Sequence, residues 1–157
     1  ARSAAALGSL DGILKDNGVV LGIEALNRFE TDLVNTAKEA EAIASTSGSD
    51  RVGVLLDTFH LNMEEKDIRK SIAETSDKLV HFHVSENDRG VPGSGHIPWE
   101  NVKAGLNDAG YNGWIVAEMF VVAGNSASND LNIWRNIEPD ATRAAKQALS
   151  FMKRTFE

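Results

Sequence analysis

The sequence predicts an α/β fold built on a parallel sheet, and three observations carry that prediction. Strand-like and helix-like segments alternate along the chain, an order that implies parallel strands joined by right-handed crossovers. The strand-like segments are largely apolar, as parallel strands covered by helices are. Four of them end in a charged or imidazole group, in the strings GIE (22–24), LLD (55–57), HFH (81–83) and VAE (116–118). Four βα units in a row fit two architectures, a four-stranded doubly wound sheet and half of a (βα)₈ barrel.

Taken in order, residues 3–15 read as a helix ahead of the first strand. VVLGIEAL (19–26) reads as that strand. TDLVNTAKEAEAIAS (31–45) follows as a helix, with Leu33, Val34, Ala37, Ala40 and Ala44 at helical spacing, a Thr31/Asp32 start and Gly48 past its end. RVGVLLD (51–57) is the second strand and EEKDIRKSIAE (64–74) the next helix, with Ile68 and Ile72 one turn apart. LVHFHVSE (79–86) is the third strand, followed by the loop NDRGVPGSGHIP. PWENVKAGLNDAG (98–110) is a helix with Pro98 near its start and Gly110 at its stop. GWIVAEMF (113–120) is the fourth strand, and PDATRAAKQALSFMKRTF (139–156) a final helix.

Composition narrows the function. The chain has 157 residues, 42% hydrophobic and 25% charged, an ordinary globular balance with enough length for one cored domain. A net charge of −7 argues against a nucleic-acid partner, since phosphate contacts need a basic face. With no cysteine there is neither a disulfide framework nor a thiolate metal site. No apolar run is long enough to span a bilayer, so no membrane partner is expected. The opening ARSAAALGSLDGIL lacks the features of a signal peptide, which points to the cytoplasm.

Side chains alternate faces along a strand. In 19–26, Leu21, Ile23 and Ala25 share one face, and Val20, Gly22 and Glu24 the other. In 52–57, Val52, Val54 and Leu56 oppose Gly53, Leu55 and Asp57. In 79–85, Val80, Phe82 and Val84 oppose Leu79, His81, His83 and Ser85; in 114–119, Ile115, Ala117 and Met119 oppose Trp114, Val116 and Glu118. One face is thus apolar and suited to covering helices. The other carries Glu24, Asp57, His83 and Glu118 at the strand ends where parallel βα folds build their sites. Three converging carboxylates would repel by several kcal/mol at low effective dielectric unless a positive charge sat between them. A divalent cation meets that need, and oxygen-rich ligation with one imidazole suits Mn²⁺, Mg²⁺ or Co²⁺. His81 shares the face of His83 one layer deeper, where a buried histidine bonded to a carbonyl is expected. The stretch PGSG (92–95) lacks the Lys-Ser/Thr of a phosphate loop and reads as a sharp turn.

The strings IEALNRFETD (23–32), LLDTFHLNMEE (55–65), HFHVSENDRGVPGSGHIPW (81–99) and YNGWIVAEMF (111–120) resemble those of the ketose 3-epimerases, the D-tagatose and D-allulose (D-psicose) 3-epimerase group of the sugar isomerase/epimerase barrels. The resemblance covers essentially the whole chain. It implies that Glu24, Asp57, His83 and Glu118 bind a metal, Mn²⁺ first. It implies that Glu30, His60 and Arg89 contact the sugar. It also implies the fold: the C-terminal half, strands five to eight, of a (βα)₈ TIM barrel, a single half-barrel domain over 1–157 lacking the first four βα units.

The implied chemistry is epimerisation at C3 of a free ketohexose. One carboxylate removes the C3 proton to give a cis-enediolate, and a second returns a proton to the opposite face. Glu24 and Glu118, on the first and last strands, are the expected acid/base pair, with His60 and Arg89 stabilising charge on the sugar oxygens. A related aldose–ketose or hydroxypyruvate isomerase would share the enediolate, and a catalytically incompetent half-barrel is the reading from a different class. Four βα units leave two open sheet edges and an apolar inner face of Val20, Leu55, Leu79, Trp114 and Val116. The expected partners are therefore a ketose and either a second copy of the chain or a missing N-terminal half.

Overall fold

The computed structural model describes residues 2–157. Its strands are β1 (Leu21–Glu24), β2 (Val52–Asp57), β3 (Leu79–Val84) and β4 (Ile115–Ala117). Its helices are α1 (Arg2–Gly8), α2 (Asp11–Asp16), α3 (Ala37–Ser47), α4 (Thr58–Glu64), α5 (Ile68–Thr75), α6 (Trp99–Asp108), α7 (Ser126–Asp130) and α8 (Ala141–Phe156). The strands form one parallel sheet in the order β1-β2-β3-β4.

The chain forms an open four-stranded α/β sheet whose outer edges, on β1 and β4, have no strand partner among the described residues, the two open edges that four units leave. The expected fold class is corrected at its connections, which are not four plain βα units. The β2 crossover holds two helices, α4 and α5, and the segment after β4 holds α7 as well as α8. The doubly wound alternative fails, because its strand order would reverse part-way across the sheet.

Local chemistry explains the moved boundaries. The helix expected from residue 31 starts at Ala37. Asn35 Nδ2 donates to the carbonyls of Leu26 (2.7 Å) and Thr31 (3.0 Å), tying 31–35 back to the strand end. Thr36 and Glu39 then form a reciprocal capping box, and Gly48 stops the helix at φ 72°. Ala37, Ala40 and Ala44 are buried, and these small side chains let α3 lie close on β2. Asp57 ends β2 and also caps α4, its Oδ1 accepting the Phe59 N–H at 2.7 Å. The expected helix at 64–74 therefore divides: α4 ends before Glu65, which is extended, and Asp67 caps α5.

The main core lies between sheet and helices, with Leu56, Phe82 and Val84 of the sheet against Ile72, Val102 and Leu106. On β3 the register shifts, Val54 pairing with Leu79 but Leu55 with His81, so Val80 is an extra residue. The expected alternation is corrected there. Leu79 turns into the core, and Val80 moves to the opposite face, over Gly53, where a Cβ would overlap it. The exposed apolar face therefore holds Val20, Val116 and Trp114, while Leu79 is buried and Leu55 only partly exposed. No helix among the described residues is long and apolar enough to cross a membrane.

Candidate metal and sugar site

The C-terminal strand ends bring Glu24, Asp57, His83 and Glu118 together. One ligand-type atom from each lies within 4.8 Å of all the others. Glu24 and Asp57 close β1 and β2, and His83 is the penultimate residue of β3. Glu118 follows β4, with its N–H donating to Val84 O at 3.1 Å. The register pairs Asp57 with His83 across β2 and β3. Strand alternation alone selected this set, and the structure assembles it.

Its electrostatics are uneven. Burial, then the nearby Glu118 and Asp57 carboxylates, push Glu24 up to about 7. Burial likewise raises Asp57, against the pull of Arg89. His83 and Arg89 hold Glu118 down at about 2, and Glu118 in return raises His83. Three carboxylates at such short range need a compensating charge.

Part of it comes from Arg89, which is buried. Nη1 donates to Asp57 Oδ2 at 2.7 Å and to Glu118 Oε2 at 2.9 Å, and Nη2 lies 3.0 Å from His60 Nε2. The guanidinium carbon sits 4.1 Å from the Phe59 ring centroid and 5.5 Å from that of Phe120, a cation–π setting. Arg89 was expected to meet the sugar; here it is also bonded to two of the four clustered acids. It adopts φ 65°, a left-handed conformation unusual for a residue with a Cβ.

His60 is buried on α4. Its Nδ1 lies 3.1 Å from the Asn27 backbone nitrogen, and its Nε2 faces Arg89 Nη2 at 3.0 Å and Glu24 Oε1 at 3.8 Å. Burial, then Arg89, lower its pKa to about 4, so the ring is neutral at physiological pH. Glu30 reaches His60 indirectly. Its Oε1 accepts Asn27 Nδ2 at 2.7 Å, and Asn27 abuts the ring. Asn27 was not singled out from sequence, and only its place three residues after Glu24 could have marked it. His81 departs from the carbonyl-bonded role expected of it. It is half-exposed, with its ring edge-on to His83 at 4.9 Å.

The donor set fits a divalent cation. His83 Nδ1 is buried with no hydrogen-bond partner among the described residues, 3.6 Å from Glu118 Oε2 and 3.9 Å from Asp57 Oδ2. Those spacings are too long for direct hydrogen bonds and suit ligands of one centre.

The profile of the xylose isomerase-like TIM barrel family matches residues 1–155. The chain belongs to that family. Among its relatives there, a D-psicose 3-epimerase of Enterocloster bolteae is 38% identical over 99% of this chain and 54% of its own length. An L-ribulose 3-epimerase of Mesorhizobium japonicum is 36% identical over 96% of this chain and 52% of its own. A crystal structure of D-psicose 3-epimerase with D-tagatose, from Clostridium cellulolyticum H10, superposes with a TM-score of 0.94 at 37% identity, covering 99% of this chain and 56% of that one. Within the family the chain groups with the ketose 3-epimerases. It spans about half the length of the curated relatives it matches.

Proposed function

We propose that this chain carries the chemical groups of a metal-dependent ketose 3-epimerase, acting at C3 of a free ketohexose. One observation carries the reading: four ligand-type atoms from four adjacent strand ends lie within 4.8 Å of one another, against a buried arginine and a neutral histidine. The names of its relatives support the substrate class.

Glu24, Asp57, His83 and Glu118 would hold the cation, an oxygen-rich set with one imidazole that suits Mn²⁺, Co²⁺ or Mg²⁺, with Mn²⁺ put first on the resemblance to the ketose 3-epimerases. When bound, it supplies the positive charge that makes a ketose C3–H acidic. Glu24 ends β1 and Glu118 directly follows β4, the two outer strands. One takes the C3 proton, leaving an enediolate, and the other returns a proton to the opposite face of C3. Arg89 supplies donors toward the sugar oxygens, with the His60 ring beside it as a second sugar contact. Phe59 and Phe120 on the guanidinium limit water beside it.

The test is product analysis with Mn²⁺ and D-fructose or D-tagatose, followed by chromatography. C3 epimers are the expected products. An aldose product would replace this reading with an aldose–ketose isomerase, and no conversion by a metal-loaded, assembled particle would overturn it.

A further inference from the structure

Glu86 lies outside the acid cluster, yet it is wholly buried. Both of its carboxylate oxygens are engaged. Oε1 accepts the Gly93 N–H and the Trp99 indole Nε1–H, each at 2.8 Å. Oε2 accepts the Ile97 N–H at 3.2 Å and the Asn87 N–H at 3.3 Å. The donors span the whole loop from β3 to α6, so one carboxylate gathers residues 87–99 around itself. The PGSG stretch now has a physical explanation. A Cβ on Gly95 would overlap Glu86 Oε2, and one on Gly93 would run into the Phe151 ring.

The main chain of Glu86 builds the turn that presents Arg89. The Arg89 N–H donates to Glu86 O at 3.0 Å, and the Glu86 N–H donates to Gly90 O at 3.1 Å. These bonds close around the left-handed Arg89, whose own carbonyl accepts the Phe120 N–H at 3.0 Å. A non-glycine residue there costs about 1–2 kcal/mol and persists only where its surroundings over-determine it.

We propose that Glu86 is a positioning residue: its buried carboxylate holds the 87–99 loop in the conformation that delivers the Arg89 guanidinium to Asp57, His60 and Glu118. Its carboxylate bonds Asn87, Gly93, Ile97 and Trp99 and none of the acid cluster, so it acts through Arg89. Only the kinetic part of this inference rests on the function proposed above.

Glu86→Gln tests it at constant volume, because one acceptor becomes an NH₂ facing two N–H donors. Trp99→Phe removes a single donor and keeps a ring against Phe151, and so serves if the first variant fails to fold. The first readout is hydrogen exchange at the Gly93 and Ile97 amides. The second is the set of Arg89 guanidinium N–H signals in NMR spectra of the protein. The third is kcat with Mn²⁺ and ketose, singly and combined with Arg89→Ala. In Glu86→Gln, exchange should quicken and kcat fall, each about 10- to 100-fold, as for one lost charge-assisted bond. The Arg89 signals should broaden or vanish. The Arg89→Ala background should mask the kcat loss, since positioning an absent guanidinium is worth nothing. Trp99→Phe should give smaller changes in the same direction.

Unchanged exchange and Arg89 signals in either folded variant would overturn the proposal. So would a kcat loss that stays additive with Arg89→Ala. Wild-type protein without epimerase activity would sink the proposed function instead, and the first two readouts would still decide the role of Glu86.

Discussion

Arg89 Nη1 donates to Asp57 Oδ2 at 2.7 Å, with both side chains almost wholly excluded from water. Removing one partner of a buried ion pair strands the other, at a cost of about 3–5 kcal/mol. Arg89→Ala should therefore destabilise the fold by about that much at pH 8. Burial already raises Asp57, and loss of the guanidinium raises it further, so at pH 5 the carboxyl can hold a proton instead. The cost of ionising it grows as pH rises, and the destabilisation should be smaller at pH 5. Urea melts at the two pH values check this; equal losses would contradict it.

Cation binding should be proton-linked through Glu24. Its carboxyl is held at about 7, first by burial and then by Glu118 and Asp57, and it must be ionised to ligate. Asp57 and His83 are raised as well and must also lose protons to ligate. Affinity should therefore fall by at least about tenfold per pH unit below pH 7. Calorimetry in buffers of differing ionisation enthalpy should find more than one proton released per Mn²⁺ at pH 6, and fewer as pH rises above 7. Saturating Mn²⁺, at ~100 times Kd, should add about 2.7 kcal/mol to stability. A melting curve blind to both Mn²⁺ and EDTA would refute an assembled site.

Glu118→Gln keeps the shape and removes a proton carrier. With Mn²⁺ bound, epimerisation should fall about 100-fold or more. Exchange of the C3 hydrogen with deuterated solvent should persist from one epimer, through Glu24. A near wild-type epimerisation rate would rule out the paired role.

Gly53 faces Val80 and the Lys78 carbonyl, and a Cβ would overlap both. The Lys78 backbone cannot give way cheaply. Gly53→Ala should cost about 1–3 kcal/mol, read as a lower denaturation midpoint with unchanged slope. A neutral substitution would mean that the register shift at Val80 is softer than the packing implies.

Trp114 is 81% exposed, Val20 45% and Val116 38%, beside two sheet edges without strand partners among the described residues. A folded monomer rarely tolerates such a face. Light scattering on the purified chain should give a multiple of the chain mass. A monodisperse monomer that unfolds cooperatively would disprove this.

The acid cluster was legible because strand alternation is geometric. Glu24, Asp57, His83 and Glu118 each end a strand-like run on the same face, and that parity held wherever pairing was regular. It failed at Val80, because a register shift depends on the neighbouring strand and leaves no mark in the local pattern. Asn35 hid the start of α3 for a similar reason. Its amide spends its hydrogen bonds on Leu26 and Thr31, a competition with helix that propensity does not show. Arg89 and Glu86 were the hardest to read. In the sequence Glu86 ends an expected strand and Arg89 is a charge in the polar loop after it, and only burial distinguishes them from solvated ones.

The sequential strand order also separates chemistry from connectivity. Every group in the acid cluster arrives where a strand ends, while the chain re-enters the sheet at the far side through the turns at Gly18, Gly48 and Gly110. Each of these glycines has φ between 65° and 72°, and among the described residues nothing lies within 4 Å of where a Cβ would stand. The left-handed φ disfavours replacing the glycines, but a residue inserted beside each meets open space. A fluorophore, an affinity peptide or a tether carried on such an insertion would report on or immobilise the protein from the end of the sheet remote from the acid cluster, leaving the cluster uncovered.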